Sequence, residues 1–177
     1  MRMRIALAAA AAWILAGCAG PSVDIYQDEK PVLDLAKYFN GKLDAWGTVQ
    51  SRSGKVTKRF QVEMTGTWQG DRGTLEEDFT YADGSKSRRV WNITRLDANH
   101  YRGSAADVVG EAVGEARGNA LRWRYVLSVD VEGRTYNVDF DDWMYLMDDQ
   151  IMLNKSVMSK FGFRVGEVTV SFRKKPS

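Results

Sequence analysis

One cysteine, Cys18, and one histidine, His100, occur in the 177 residues. A lone cysteine has no partner for an intramolecular disulfide, so a folded domain here must rest on apolar packing. A lone histidine cannot make a usual zinc site. It follows Asp97-Ala98-Asn99 at an expected turn, where it reads as a surface residue rather than a catalytic base. Charge of one sign is also missing: 25 basic residues stand against 23 acidic ones. That balance argues against a nucleic-acid binder, which needs a clustered basic face. No G-x-S-x-G elbow or phosphate-binding loop is present. Glu76-Glu77-Asp78 and Asp139, Asp141 and Asp142 are rich in carboxylates, but neighbours on a strand point to opposite faces. They read as a solvated edge before a glycosidase-like pair. Val108-Val109-Gly110 and Gly114 read as bends or bulges in a strand, since no helix follows them to make a phosphate site. The expectation is a protein with no enzymatic constellation, no cofactor and no metal.

The N-terminal apolar run, Ile5 to Leu15, has eleven residues, whereas a membrane-spanning helix needs about 20. Arg2 and Arg4 precede it and small residues follow, the three parts of a secretory signal. Leu15-Ala16-Gly17-Cys18 resembles the bacterial lipobox, which implies cleavage between Gly17 and Cys18 and transfer of a diacylglycerol to the Cys18 thiol. Anchoring by two or more acyl chains is stable where one is marginal. Among such proteins of Gram-negative bacteria the next residue sorts the product, and Ala19 implies the outer membrane, with the chain facing the periplasm. The expected organisation is a signal peptide over 1–17, a lipidated tether over 18–30 and one domain over 31–177. Loss of Arg2 and Arg4 leaves 23 basic and 23 acidic residues in the mature chain.

Pro31 to Phe39 is expected to form one or two helical turns, with Asn40-Gly41 as a stop. Beyond it the hydrophobic period is two almost to the end. Val56, Phe60, Val62, Met64 and Trp68 share one face, as do Leu121, Trp123, Tyr125, Leu127, Val129 and Val131, and later Val168, Val170 and Phe172. Polar residues alternate with them, the pattern of an antiparallel sheet with one dry face. Turns set the registers. Gly118-Asn119 as a two-residue loop places Ala116 opposite Leu121, Gly114 opposite Trp123 and Ala112 opposite Tyr125. Glu132-Gly133 pairs Val129 with Tyr136, Leu127 with Val138 and Tyr125 with Phe140. A three-residue loop at Ala82-Asp83-Gly84 pairs Leu75 with Trp91 and Phe79 with Ser87. The fold class is therefore all-β: an antiparallel up-and-down barrel of about nine or ten strands, with a short N-terminal helix. Closure is favoured over a sandwich because it removes exposed edges.

Three charges fall on the apolar side. Glu77 is expected opposite Arg89, and Asp142 opposite Trp123. In one reading Glu77 and Arg89 neutralise each other near a barrel end while Asp142 sits at the rim beside water. In the other, Arg89 anchors an anionic headgroup, and Trp91, Trp123, Tyr125 and Phe140 line an apolar pocket.

Asp141-Asp142-Trp143-Met144, and Asn154-Lys155-Ser156 running through Met158 to Lys160-Phe161-Gly162, carry a family likeness. With Tyr38-Phe39-Asn40-Gly41-Lys42 and Trp46-Gly47, the chain resembles the bacterial lipoprotein family called domain of unknown function 3833, over about residues 30 to 175. In general look that family is similar to calycins, the lipocalin-like barrels, and it implies no activity or catalytic residue. The spacing of Gly41 and Trp46 departs from the lipocalin Gly-x-Trp start. The functional expectation is an outer-membrane lipoprotein, held to the membrane through Cys18, whose barrel binds a lipid or fatty-acyl ligand. The alternative is a structural or interaction protein with a filled barrel. The sequence names no protein partner.

Overall fold

The computed structural model describes residues 20–131 and 133–176. The lipobox, with Gly17, Cys18 and Ala19, lies outside the described residues, as does Glu132 of one expected turn. Ten strands follow in sequence: β1 (Gly41–Ser51), β2 (Val56–Gln69), β3 (Arg72–Tyr81), β4 (Lys86–Arg95), β5 (His100–Ser104), β6 (Val108–Arg117), β7 (Ala120–Val131), β8 (Arg134–Leu146), β9 (Ile151–Lys160) and β10 (Phe163–Lys174). Each pairs antiparallel with the next, and β10 returns to β1, so the sheet is a closed up-and-down barrel.

Alternation decides which residues point inward. In β2, Val62 and Met64 are buried and Glu63 and Thr65 are exposed. On β3 the same parity sends Glu76 and Asp78 outward to Arg88, at 2.7 and 3.1 Å, and leaves Glu77 inside. Asp141 likewise faces out and accepts two hydrogen bonds from Arg122 at 2.8 Å. His100 is exposed beside Asp97, as its turn position implied.

The turn chemistry sets the registers as expected at three hairpins. Arg117 pairs with Ala120 across Gly118-Asn119, Glu77 with Arg89, and Tyr125 with Phe140. Gly84 takes the left-handed conformation that its loop requires (φ 84°). One expected pair fails. Val108 and Val109 face Leu127 and Val126, but the register then jumps to Val113 opposite Arg124. Gly110, at φ 73°, absorbs the extra residues as a bulge. Ala112 is therefore not opposite Tyr125; it pairs with Gly103 on β5 and is fully buried.

One end of the barrel is plugged. A single helical turn, α1 (Leu35–Tyr38), is capped by the Asp34 carboxylate, which accepts from the Lys37 amide at 3.2 Å. It drives Leu35, Tyr38 and Phe39 into the core. The Phe39 carbonyl oxygen lies 1.6 Å from where a Cβ on Gly66 would stand, so β2 needs glycine there. Lys174, at the end of β10, donates to the carbonyls of Lys37, Tyr38 and Asn40 at 2.6–2.7 Å. The segment expected as a polar tether is partly docked. A 3-10 turn over Val23–Tyr26, capped by Ser22, buries Val23, and Tyr26 packs edge-on against Trp143 and Tyr145.

Candidate functional site

A cavity of about 660 Å³ runs inside the barrel. Its floor is Phe39, Leu35, Leu121 and Trp123; its far end reaches Thr57, Lys58, Asp130 and Val131, which are exposed. The mouth therefore lies opposite the plug, among the hairpins that follow β1, β3, β7 and β9. All seven residues singled out from the sequence line this cavity: Glu77, Arg89, Trp91, Trp123, Tyr125, Phe140 and Asp142.

The aromatic wall is continuous. Trp91 meets Trp123 and Tyr125 edge-on at 5.7 and 5.4 Å, and Tyr125 stacks on Phe140 at 5.0 Å. Nearer the mouth, Phe60, Phe79 and Tyr81 form a second group. Small residues make room for the indoles. A Cβ on Gly114 would lie 2.3 Å from the Trp123 ring, and one on Gly103 would lie 2.5 Å from it. Facing of small against large residues was read from the register, and Gly114 is indeed Trp123's cross-strand partner.

Between the two aromatic groups lies a polar belt about halfway along the strands. Glu77 comes from β3, Arg89 from β4, Tyr125 from β7, Asp142 from β8, and Asn154 and Ser156 from β9. The Arg89 guanidinium is occupied by Asp107, in the turn between β5 and β6. Nε lies 3.0–3.1 Å from both carboxylate oxygens and Nη2 lies 2.7 Å from Oδ2. The expected pairing with Glu77 is present but longer, at 3.8 Å. Burial alone would lower the Arg89 pKa, but Asp107 and Glu77 outweigh it and keep the group charged.

Asp142 does not sit at the rim. It is 6% exposed, in mid-barrel, and one of its oxygens, Oδ1, has no hydrogen-bond partner. Oδ2 accepts from the Tyr125 hydroxyl at 3.3 Å. The Ser156 hydroxyl, directly across from Asp142 on β9, donates to Asn154 Oδ1 at 3.2 Å. Burial pushes the Asp142 carboxyl up to about 7, and the Tyr125 hydroxyl and Arg89 offset only part of this. Glu77, 9% exposed, is raised to about 7 by burial, against the pull of Arg89 and with a push from Asp107 and Asp142. Burial and the nearby Asp142 raise the Tyr125 phenol well above its ordinary value.

Sequence reasoning missed Asn154 and Ser156 as members of this belt, and Asp107 as the partner of its arginine. Asn154 and Ser156 share parity with Met152 on β9, all three buried, and that parity was a usable signal. Asp107 lies in a turn, where parity says nothing. Among the described residues no helix is long and apolar enough to cross a membrane, and no group of three or more metal-ligating side chains is found.

Known structures similar to this chain include one barrel that superposes over most of its length. The S-type phycobiliprotein lyase CPES from Guillardia theta superposes with a TM-score of 0.56 at 5% identity, over 89% of this chain and 100% of the other. A de novo designed fluorescence-activating β-barrel gives 0.43 at 12% identity, over 81% and 99%. At 5% identity the likeness to the lyase is one of fold alone. No curated protein matches the chain. A family model described as "Protein of unknown function (DUF3833)" matches residues 12–174, nearly the whole sequence, and the chain belongs to that family.

Proposed function

We propose that the protein is a lipid-anchored binding protein of the cell envelope, whose barrel holds a lipid or other hydrophobic ligand. The observation that carries the reading is the cavity: about 660 Å³, walled mainly by aromatic and aliphatic side chains, and reaching the surface at one end. Ligand sites for small molecules typically measure ~300–1,000 Å³ and combine apolar walls with a few placed polar groups. A filled barrel with no ligand would have no use for a cavity-lining carboxylate, Asp142, that keeps one oxygen unpaired. In this reading the belt orients the ligand and performs no reaction on it. Cys18 carries the acyl anchor, and Ala19 directs the protein to the periplasmic face of the outer membrane.

The protein extracted from its host's membranes is expected to retain a noncovalent apolar ligand, seen by native mass spectrometry as mass beyond its covalent acyl chains. A chain that carries none, and that also admits no fluorescent lipid probe, would return the protein to the filled-barrel class. For the anchor, palmitate labelling is expected to vanish in Cys18→Ser, and Ala19→Asp is expected to hold more protein on the inner membrane. Labelling that persists in Cys18→Ser would remove the lipobox assignment.

A further inference from the structure

We infer that the mid-barrel belt receives the cationic head of a long-chain amine, with the tail lying toward the mouth. This rests on the reading of the cavity as a ligand site and adds the class of head it takes. The belt is acidic. Glu77 and Asp142 line the cavity beside a single guanidinium, that of Arg89, which Asp107 holds from the β5–β6 turn through both its oxygens. Among the described residues lining the cavity, the other cation is Lys58, at the mouth.

The belt also lacks donors. Tyr125 donates its hydroxyl to Asp142 Oδ2, and Ser156 gives its hydroxyl to Asn154 Oδ1. Turning Ser156 toward Asp142 would leave the buried Asn154 oxygen unserved in its place. Asp142, which lines the cavity, thus keeps one buried oxygen, Oδ1, unpaired, on a residue only 6% exposed. Leaving a buried acceptor unpaired is costly, and a ligand that supplies its donor recovers that cost.

An ammonium head brings three N–H donors, no acceptor and a positive charge. It fits a site with two buried carboxylates, one of them with an unpaired oxygen, and the ring systems of Trp91 and Tyr125 beside them, which attract cations. A fatty-acid carboxylate fits badly, because it would meet the carboxyls of Glu77 and Asp142 and an arginine already engaged by Asp107. Arg89 is therefore the structural partner of Asp107 and Glu77, not the anchor of an anionic headgroup.

The test uses the full chain in a fixed concentration of nonionic detergent, with a neutral environment-sensitive dye in the barrel. Dodecylamine, dodecanol and dodecanoic acid compete with it at pH 7.5. Partition into micelles is common to wild type and variants, so the ratios between proteins report the site. Wild type is expected to take the amine at least roughly tenfold more tightly than the acid, and more tightly than the alcohol. Asp142→Asn removes the charge and keeps the shape, so its preference for amine over alcohol should fall by about tenfold. Glu77→Gln gives a second reading of the same ratio should the first variant fold poorly. Equal or tighter binding of the acid, an alcohol that matches the amine, or amine-to-alcohol ratios unchanged in both variants would overturn the inference while leaving the binding function intact. A barrel that admits neither the dye nor any of the three overturns both.

Discussion

Asp142→Asn is expected to stabilise the empty barrel in a way that grows with pH. In the folded chain the Asp142 carboxyl is raised from 3.8 to about 7, with burial as the main cause. Between those two values the folded state keeps a proton that the unfolded chain has released. The stability tied to that proton is fully present below about 3.8 and is lost as pH rises through about 7. A shift of about three units, at about 1.36 kcal/mol each, makes the loss about 4 kcal/mol at pH 8. Asparagine has the same outline, carries no charge to bury and adds an N–H donor to a belt short of donors. At about 2–4 °C per kcal/mol for a domain of this size, the variant should melt roughly 8–16 °C above wild type at pH 8 and close to it at pH 4. Calorimetric melts of both proteins at pH 4, 6 and 8 measure this. Comparing them isolates Asp142 from carboxylates such as Asp83, Asp97 and Asp148, whose pKa values are lowered and whose effect on wild type has the opposite sign. A melting difference that is flat across the range, or a variant less stable at pH 8, would refute the argument that a buried, unpaired charge is held there.

Arg89→Met should cost about 3–5 kcal/mol at pH 8 because it strands Glu77 beside Asp107. Glu77→Leu combined with Arg89→Met should recover most of that, since the Asp107 side chain is 38% exposed and water can solvate it. A double mutant no more stable than the single would show that Glu77 was not the stranded partner. Gly114→Val places methyl groups where the Trp123 ring now lies, 2.3 Å from the position of a Cβ, and should destabilise by about 1–3 kcal/mol. The same change should alter tryptophan emission, and a spectrum identical to wild type would mean that Trp123 does not rest on Gly114.

Most of the barrel was legible because one face of every strand is dry. A period of two is a direct imprint of that condition, as in Leu121, Trp123 and Leu127 against Arg122 and Arg124 on β7. Hairpin registers were legible where the turn residues admit a single loop geometry, as at Gly118-Asn119. The Ala112 pairing was not, since a bulge changes register without changing composition; Gly110 marked a bend but not how many residues it absorbs. For the site, parity alone put Glu77, Arg89 and Asp142 inside. Depth was harder. Placing Asp142 at the rim assumed that an unpaired carboxylate seeks water, and here the fold holds it in mid-barrel. Arg89's main partner escaped notice because Asp107 arrives from a turn 18 residues away, outside any strand pattern. The 3-10 turn at Val23–Tyr26 was hidden by its brevity, although Ser22 and Asp24 form a cap that can be read.

Closure between β1 and β10 has a consequence for how the chain reaches this shape. The seam runs from Leu43 opposite Lys174 to Ser51 opposite Gly166, joining the two extremes of the domain. Every other strand pair is between sequence neighbours and can form as the chain emerges. This seam cannot form until β10 exists, so both of its edges stay open until that strand has been made. Contacts of such long sequence separation are slow to form, and open edges invite pairing with other chains. The Lys174 clasp on the carbonyls at the end of α1 and of Asn40 makes the same long-range connection, so the step that seals the barrel also fastens its plug. A chain cut short before β10 would lose both together and would expose an aggregation-prone sheet rather than a slightly smaller barrel.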